Sequence, residues 1–164
     1  MRKSQKVEKN IMAIAAQAGF FQDKNTAKNK IYNLDGKEKN DALKFIFAAE
    51  EIAKSSKCWR AKCGSLIVNG GFIIGKGFNS PPKNLESQRR CLKDKNTLDK
   101  KVTDKTCCVH AEQRAIMNAL ENNSYRIENS RLYFVRLNSE NELTFAGKPY
   151  CTICSKMALD VGIR

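Results

Sequence analysis

The chain has 164 residues, enough for one domain with a substantial core. Hydrophobic residues make up 41% and charged residues 29% of it, a balance that argues against a disordered or fibrous chain. Thirty Lys and Arg residues against 17 Asp and Glu give a net charge of +13, which fits an anionic partner such as a nucleotide or a nucleic acid, and equally a lysine-rich solvated surface.

Membrane and secretory classes are disfavoured. No apolar run approaches the roughly 20 residues of a membrane span, and the basic start followed by IMAIAAQAGFF lacks the small-residue cleavage site of a secretory signal. The seven cysteines are an odd number, so they cannot all pair within the chain. We therefore expect a reducing, cytoplasmic location, where cysteines bind metal, react or fill space.

Residues 1–40 are polar and rich in Lys and Asn, and we assign them to a basic N-terminal extension with one helix over residues 7–17. We assign residues 41–164 to a single folded domain. Asp41 is a suitable N-cap for a helix over residues 42–55, whose apolar residues cover the broad face that a helix packed on a sheet requires.

A β-hairpin is predicted next. Residues 65–68 and 72–74 are apolar runs separated by Asn69-Gly70-Gly71, a strong turn signal. Beyond a polar insert over residues 83–106, apolar patterns predict four more elements. They are a helix over 110–120, a strand over 132–137, a short strand over 143–145 and a helix over 151–160.

This order of elements predicts an α/β fold, a three-layer α/β/α sandwich with a mixed sheet. A helix that follows a strand usually leads to another parallel strand in the same sheet. The sequence instead stops at Gly162-Ile163-Arg164, so we expect that last strand to be missing, or another element to close this edge of the sheet.

The chemistry concentrates at two predicted helix starts. His110 opens one helix, and Cys151 and Cys154 open another. One imidazole and two thiolates are good zinc ligands, and a helix N-terminus favours thiolate over thiol. Three protein ligands leave a fourth position for water, which is typical of a catalytic zinc site.

Glu112 lies two residues after the histidine ligand and can move the proton of zinc-activated water without binding the metal. Alternatives for the individual elements are a redox cysteine pair or a closed structural zinc site, with Cys107 or Cys108 as the fourth ligand. The combination of H-x-E with a later C-x-x-C is the known signature of zinc-dependent base deaminases.

The sequence resembles the cytidine and deoxycytidylate deaminase superfamily, and most closely its deoxycytidylate (dCMP) deaminase branch. The zinc motifs carry this resemblance, with VHAEQ-x-AI at residues 109–116 and C-x-x-C-x-KM at residues 151–157. AKCGSLIV at residues 61–68 resembles the first strand of that branch, and GFNSP at residues 77–81 resembles its G-[YF]-N-G-x-P turn.

The resemblance implies the cytidine deaminase-like fold and a zinc ion on His110, Cys151 and Cys154, with Glu112 as proton shuttle. It further implies that Asn79 hydrogen-bonds the sugar and that the backbone N–H of Ala111 holds the pyrimidine carbonyl. The implied reaction is hydrolytic attack at C4 of cytosine in a small nucleotide, converting dCMP to dUMP and ammonia. Superfamily members commonly assemble, so a homo-oligomer is expected.

Two positions depart from the family pattern, because Tyr150 stands where proline usually precedes the first cysteine and Ser80 where glycine is common. Some dCMP deaminases carry a second, structural zinc, which here would use several of the remaining cysteines. These are Cys58, Cys91 and Cys107 or Cys108. Buried free thiols are the alternative. Basic residues of the insert are candidates for contacting the substrate phosphate, namely Lys83, Arg89, Arg90, Lys93 and Lys95.

Two other functions stay open on the sequence. A deaminase of tRNA or single-stranded DNA is favoured by the charge of +13 and by the basic extension. A catalytically inactive, zinc-stabilised binding module is the second, although an intact Glu112 argues against it.

Overall fold

The computed structural model describes residues 20–21, 30–31, 34–101, 107–147 and 151–164. The helix predicted over residues 7–17 lies outside them. Within the predicted extension, strands β1 (Phe20–Phe21) and β2 (Lys30–Ile31) pair antiparallel as a small separate sheet, which the sequence analysis did not predict.

The first helix, α1, spans Gly36–Lys54 and begins several residues before the predicted start. Asp35 occupies the N-cap position with an extended backbone, so the prediction of Asp41 as N-cap is wrong. The Asp41 carboxylate instead accepts a hydrogen bond from Lys44 at 2.8 Å, one turn along the helix. The added turn is polar and exposed, and an apolar pattern cannot reveal such a turn.

The main sheet has four strands in the order β4-β3-β5-β6. Their bounds are Lys62–Asn69 for β3, Phe72–Phe78 for β4, Arg131–Leu137 for β5 and Leu143–Thr144 for β6. The predicted hairpin, the third strand and the short extra strand are all present. Helix α2 (Ala111–Asn123) comes after β4 in the chain, and helix α3 (Thr152–Asp160) comes after β6.

Helices cover both faces of this sheet. On one face α1 packs against β3 and β5 through a set of buried residues, which comprises Ala42, Ile46, Ala49, Ala53, Leu66, Val68, Tyr133, Val135, Leu137 and Leu143. On the other face α2 packs on β3 and β4 and forms a second core, against which residues of α3 also pack. That core comprises Ile67, Ile74, Ala115, Ile116, Ala119, Ile127 and Ile163. The predicted three-layer α/β/α sandwich is confirmed.

The strand directions differ in one respect from the prediction. Every pairing among the described strands is antiparallel, so the described sheet is not mixed. Strands β4 and β5, which α2 connects, do run in the same direction, as a crossover connection requires. They are not neighbours, however, because β3 lies between them and pairs antiparallel with both.

Small residues let α2 approach the sheet closely. Gly77 of β4 is buried beneath the first turn of α2, where an added Cβ would lie 2.5 Å from the backbone nitrogen of Ala115. The backbones are therefore in direct contact, and the sheet determines where the N-terminus of α2 lies. None of the described helices combines the length and apolar character needed to cross a membrane.

Candidate active site

The three predicted zinc ligands come together between α2 and α3. His110 is the N-cap residue of α2, Cys151 is the N-cap residue of α3, and Cys154 lies in the first turn of α3. Their ligand atoms all lie within 4.8 Å of one another. The Nδ1 atom of His110 is 3.2 Å from the Sγ atom of Cys154, and the Sγ atom of Cys151 accepts from the backbone N–H of Cys154 at 3.5 Å.

The local backbone explains why His110 lies here. Val109 and Ser80 form an isolated antiparallel bridge, with Val109 N–H donating to the Ser80 carbonyl at 2.9 Å. The Gln113 side chain accepts from the backbone N–H of His110 at 3.0 Å, which closes the start of the helix. The histidine is thus held by a bridge on one side and a helix cap on the other.

This donor set fits zinc. In a tetrahedral site with Zn–N near 2.0–2.1 Å and Zn–S near 2.3 Å, nitrogen and sulfur ligands are separated by about 3.5 Å. The observed 3.2 Å between His110 Nδ1 and Cys154 Sγ is close to that value. One imidazole and two thiols at helix N-termini are also the chemistry that zinc prefers, because the helix dipole stabilises the thiolate form.

Glu112 lies in the first turn of α2 beside these ligands. Burial raises the pKa of its carboxyl, while His110 and a hydrogen bond with Cys154 oppose this shift. A carboxyl group whose pKa moves from its ordinary value toward neutrality both accepts and returns protons readily, which suits an acid–base catalyst.

The structure describes both residues that are implied in substrate binding. The backbone N–H of Ala111 is at the first helical position, where the helix itself offers no acceptor. The Asn79 side chain is buried, and its Oδ1 accepts from the Ser56 hydroxyl at 2.7 Å and from Cys63 N–H at 2.8 Å. Its Nδ2 donates to the Ala61 carbonyl at 2.9 Å. Within the described part of the chain its second Nδ2 hydrogen has no acceptor, and the substrate-binding roles of both residues stay predictions.

Comparison with known proteins identifies the family. The family described as the cytidine and deoxycytidylate deaminase zinc-binding region matches residues 39–164. The chain belongs to this family. It is a zinc-dependent deaminase, whose predicted zinc ligands the fold assembles.

Solved structures of a cyanophage enzyme share the fold of this deaminase. The apo dCMP deaminase of cyanophage S-TIM5 is 22% identical, with a TM-score of 0.54 over 76% of this chain and 78% of that chain. The same enzyme in complex with dCMP and dUMP is 23% identical, with a TM-score of 0.54 over 80% of each chain. Comparison with curated protein sequences gives no significant match.

The deaminase has a second gathering of thiols, which we call the cysteine cluster and define as Cys58, Cys91, Cys107 and Cys108. The Sγ atoms of Cys58, Cys91 and Cys108 lie within 4.8 Å of one another. The Sγ atom of Cys107 lies 3.0 Å from that of Cys91 and 3.9 Å from that of Cys108. In a tetrahedral zinc–thiolate site the sulfur atoms are separated by about 3.8 Å. The grouping of Cys58, Cys91 and Cys108 is compatible with such a site, whereas the 3.0 Å between Cys91 and Cys107 is shorter than this spacing.

The thiols of the cysteine cluster differ in acidity. Burial raises the pKa of the Cys108 thiol, and the neighbouring Cys58 thiol raises it further. Burial also opposes ionisation of Cys91, but hydrogen bonds outweigh it and lower the pKa of that thiol. These bonds come from Cys107, from the Trp59 backbone and from Arg89. A bound cation would favour the thiolate form of each.

Arg89, a candidate contact of the substrate phosphate, uses its donors within the protein. Its side chain is only 8% exposed, and its Nε and Nη2 each donate to the Glu86 carboxylate at 2.6 Å. Its Nη1 donates to the Lys57 carbonyl at 2.8 Å, and the guanidinium lies 4.4 Å over the ring of Trp59. These donors tie the insert to the loop that carries Cys58, which favours a structural role for Arg89 over contact with the substrate phosphate.

Sequence reasoning missed the residues that support Asn79. Ser56 donates to both the side chain and the backbone carbonyl of Asn79, each at 2.7 Å. No sequence pattern distinguishes this serine from any other residue after a helix. Only the approach of the end of α1 to the end of β4 makes it part of the site.

Proposed function

We propose that this protein deaminates dCMP to dUMP, consuming water and releasing ammonia. The observation that carries the proposal is the convergence of His110, Cys151 and Cys154 within 4.8 Å, with Glu112 in the adjoining helical turn. The choice of dCMP is supported by the motifs of the dCMP branch and by the structural likeness to an enzyme crystallised with dCMP and dUMP.

The residues divide the reaction between them. Zinc bound at this site would lower the pKa of water toward 7 and so supply hydroxide at neutral pH. Glu112 would take up a proton from the attacking water, pass it to the ring nitrogen next to C4, and later protonate the departing amine.

Substrate orientation would come from groups that flank the metal ligands. The N–H of Ala111 would donate to the pyrimidine carbonyl, and the remaining Nδ2 hydrogen of Asn79 would meet the sugar. Because the other polar valences of Asn79 are satisfied within the protein, the amide is rigidly held and would lose little entropy on binding.

A substrate panel tests the proposal. Ammonia release would be measured from dCMP, deoxycytidine, CMP and a cytosine-containing oligonucleotide, with the Glu112→Gln variant as the matched control. We expect the highest kcat/KM on dCMP and almost none for the variant. If the oligonucleotide is preferred, with a rate that falls steeply with salt, the protein is a nucleic-acid deaminase. If the zinc-loaded protein releases ammonia from none of these substrates, it is a catalytically inactive binding module.

We also propose a second, structural zinc in the cysteine cluster. The four thiols come from three separate stretches of chain around residues 58, 91 and 107–108, so a metal there would tie the insert to the domain. We expect about two zinc ions per chain, with the second lost in the Cys58→Ser variant. Metal analysis finding one zinc in both proteins would contradict this.

A homo-oligomer and a cytoplasmic location remain predictions. The odd number of cysteines supports a reducing compartment. Light scattering on the zinc-loaded protein would measure its oligomeric state.

A further inference from the structure

Arg114 of α2 reaches across to the end of β4. Its Nη2 donates to the Pro81 carbonyl at 3.0 Å and lies 3.5 Å from the Ser80 carbonyl. Its guanidinium carbon is 6.0 Å from the centroid of the Phe78 ring. These contacts are with the residue before Asn79 and the two residues after it. We call residues 79–81 the 79–81 turn.

Placing an arginine at this position carries a desolvation cost. Burial lowers the pKa of the Arg114 guanidinium, and its Nε is buried with no hydrogen-bond acceptor among the described residues. No carboxylate of the described residues forms a salt bridge with it. Arg114 as a whole is only half-buried, but its Nε, unpartnered in the described part of the chain, carries a desolvation cost. That cost offsets part of the stabilisation that its contacts with the turn contribute.

Arg114 joins the turn to the helix that begins at the zinc ligand. Asn79 is also bonded to Ser56, Ala61 and Cys63, and the bridge between Ser80 and Val109 joins the turn to the residue before His110. Through its bond to Pro81, Arg114 attaches the turn to α2 itself.

We propose that Arg114 is a positioning residue that holds the 79–81 turn, and with it Asn79, at a set distance from His110 and Glu112. The inference rests on the proposed function, in which Asn79 meets the nucleotide sugar. A turn displaced from α2 would weaken the binding of substrate and transition state alike, and such a loss raises KM while kcat changes little.

The Arg114→Met variant tests this, with Arg126→Met as the matched control. Arg126 makes the same kinds of contact at the opposite end of the hairpin, donating to the Asn69 carbonyl at 3.3 Å and lying 5.2 Å over the Phe72 ring. We expect KM for dCMP to rise about tenfold in Arg114→Met, the size of one lost charge-assisted hydrogen bond. We expect kcat and zinc content to stay near wild type in this variant, and KM to stay unchanged in Arg126→Met.

Two further variants keep the test decisive if Arg114→Met does not fold. Arg114→Lys retains the charge but has one donor group in place of the planar fork, so its KM should lie between wild type and Arg114→Met. Methylguanidinium should lower the raised KM of Arg114→Ala by occupying the vacated space. An Arg114→Lys variant with wild-type KM, or losses of kcat, zinc and KM in parallel, would overturn the proposal.

Failure of the proposed function is a separate result. It would appear as a wild-type protein that releases no ammonia from dCMP. The Kd for dUMP, measured by calorimetry on the same variants, would then decide the role of Arg114. The proposal requires weaker binding in Arg114→Met than in Arg126→Met, and equal affinities would refute it.

Discussion

The close contact between Gly77 and α2 provides the most direct test of how the fold places the site. In a Gly77→Ala variant, the new Cβ would lie 2.5 Å from the Ala115 nitrogen, 2.7 Å from the Arg114 Cβ, and closer still to the Ala111 carbonyl oxygen. Two of these three atoms belong to the helix backbone, which no side-chain rotation can move. The first turn of α2 must therefore shift away from the sheet.

The size of the shift follows from the same distances. Ordinary contact begins at 3.4 Å, and the Ala115 nitrogen would be 2.5 Å from the new Cβ, so the helix must retreat by at least about 0.9 Å. Overpacking of this kind costs about 1–3 kcal/mol, and each kcal/mol lowers Tm by about 2–4 °C in a chain of this size. The larger effect is on catalysis, because a displacement of about 1 Å can cost about a hundredfold in rate, and this turn carries Glu112 and follows His110.

Gly75→Ala is the matched control. Its Cβ would lie 2.5 Å from the Ala115 carbonyl oxygen and 2.7 Å from the Ala119 Cβ, which is the same steric conflict farther from the zinc ligands. Thermal unfolding, zinc content and kcat/KM for dCMP would be measured for both variants. We expect similar losses of Tm but a far greater loss of kcat/KM in Gly77→Ala. If the two variants agree in kcat/KM within roughly threefold, the position of the first helical turn does not limit catalysis and our reasoning is wrong.

Three substitutions test the other parts of the site. Glu112→Gln should keep its zinc and its Tm but lose about 10²–10⁴-fold in kcat, and near-normal ammonia release would show that another group moves the proton. Cys154→Ser should lose the catalytic zinc and lower Tm, because the metal ties the starts of α2 and α3 together; metal analysis and thermal unfolding would show unchanged values if this is wrong. Arg89→Met should leave the ratio of kcat/KM for dCMP to that for deoxycytidine unchanged while lowering Tm, since its donors are used within the protein; a fall in that ratio would restore Arg89 as a phosphate contact.

The sequence alone was sufficient for the features that short stretches encode. The apolar patterns predicted helices α1 and α2 and the hairpin, because hydrophobic periodicity and turn chemistry act over a few residues. The zinc ligands could also be predicted, since H-x-E and C-x-x-C each place their groups within one helical turn. What local patterns missed was the exposed first turn of α1, because its residues are polar on every side.

Only the tertiary structure decided which distant groups meet. The resemblance to the family named Cys58, Cys91 and Cys107 or Cys108 as candidates for a second zinc but left buried free thiols as the alternative, and it is the fold that brings Cys58 to Cys91 and Cys108. The fold also brings together Ser56 with Asn79 and Arg114 with the 79–81 turn, which meet because α1 and α2 both pack at the end of β4. The placement of β3 between β4 and β5 likewise depends on which strand edges and apolar faces are buried together. Such choices are made by burial over the whole sheet and not by the preferences of any one segment.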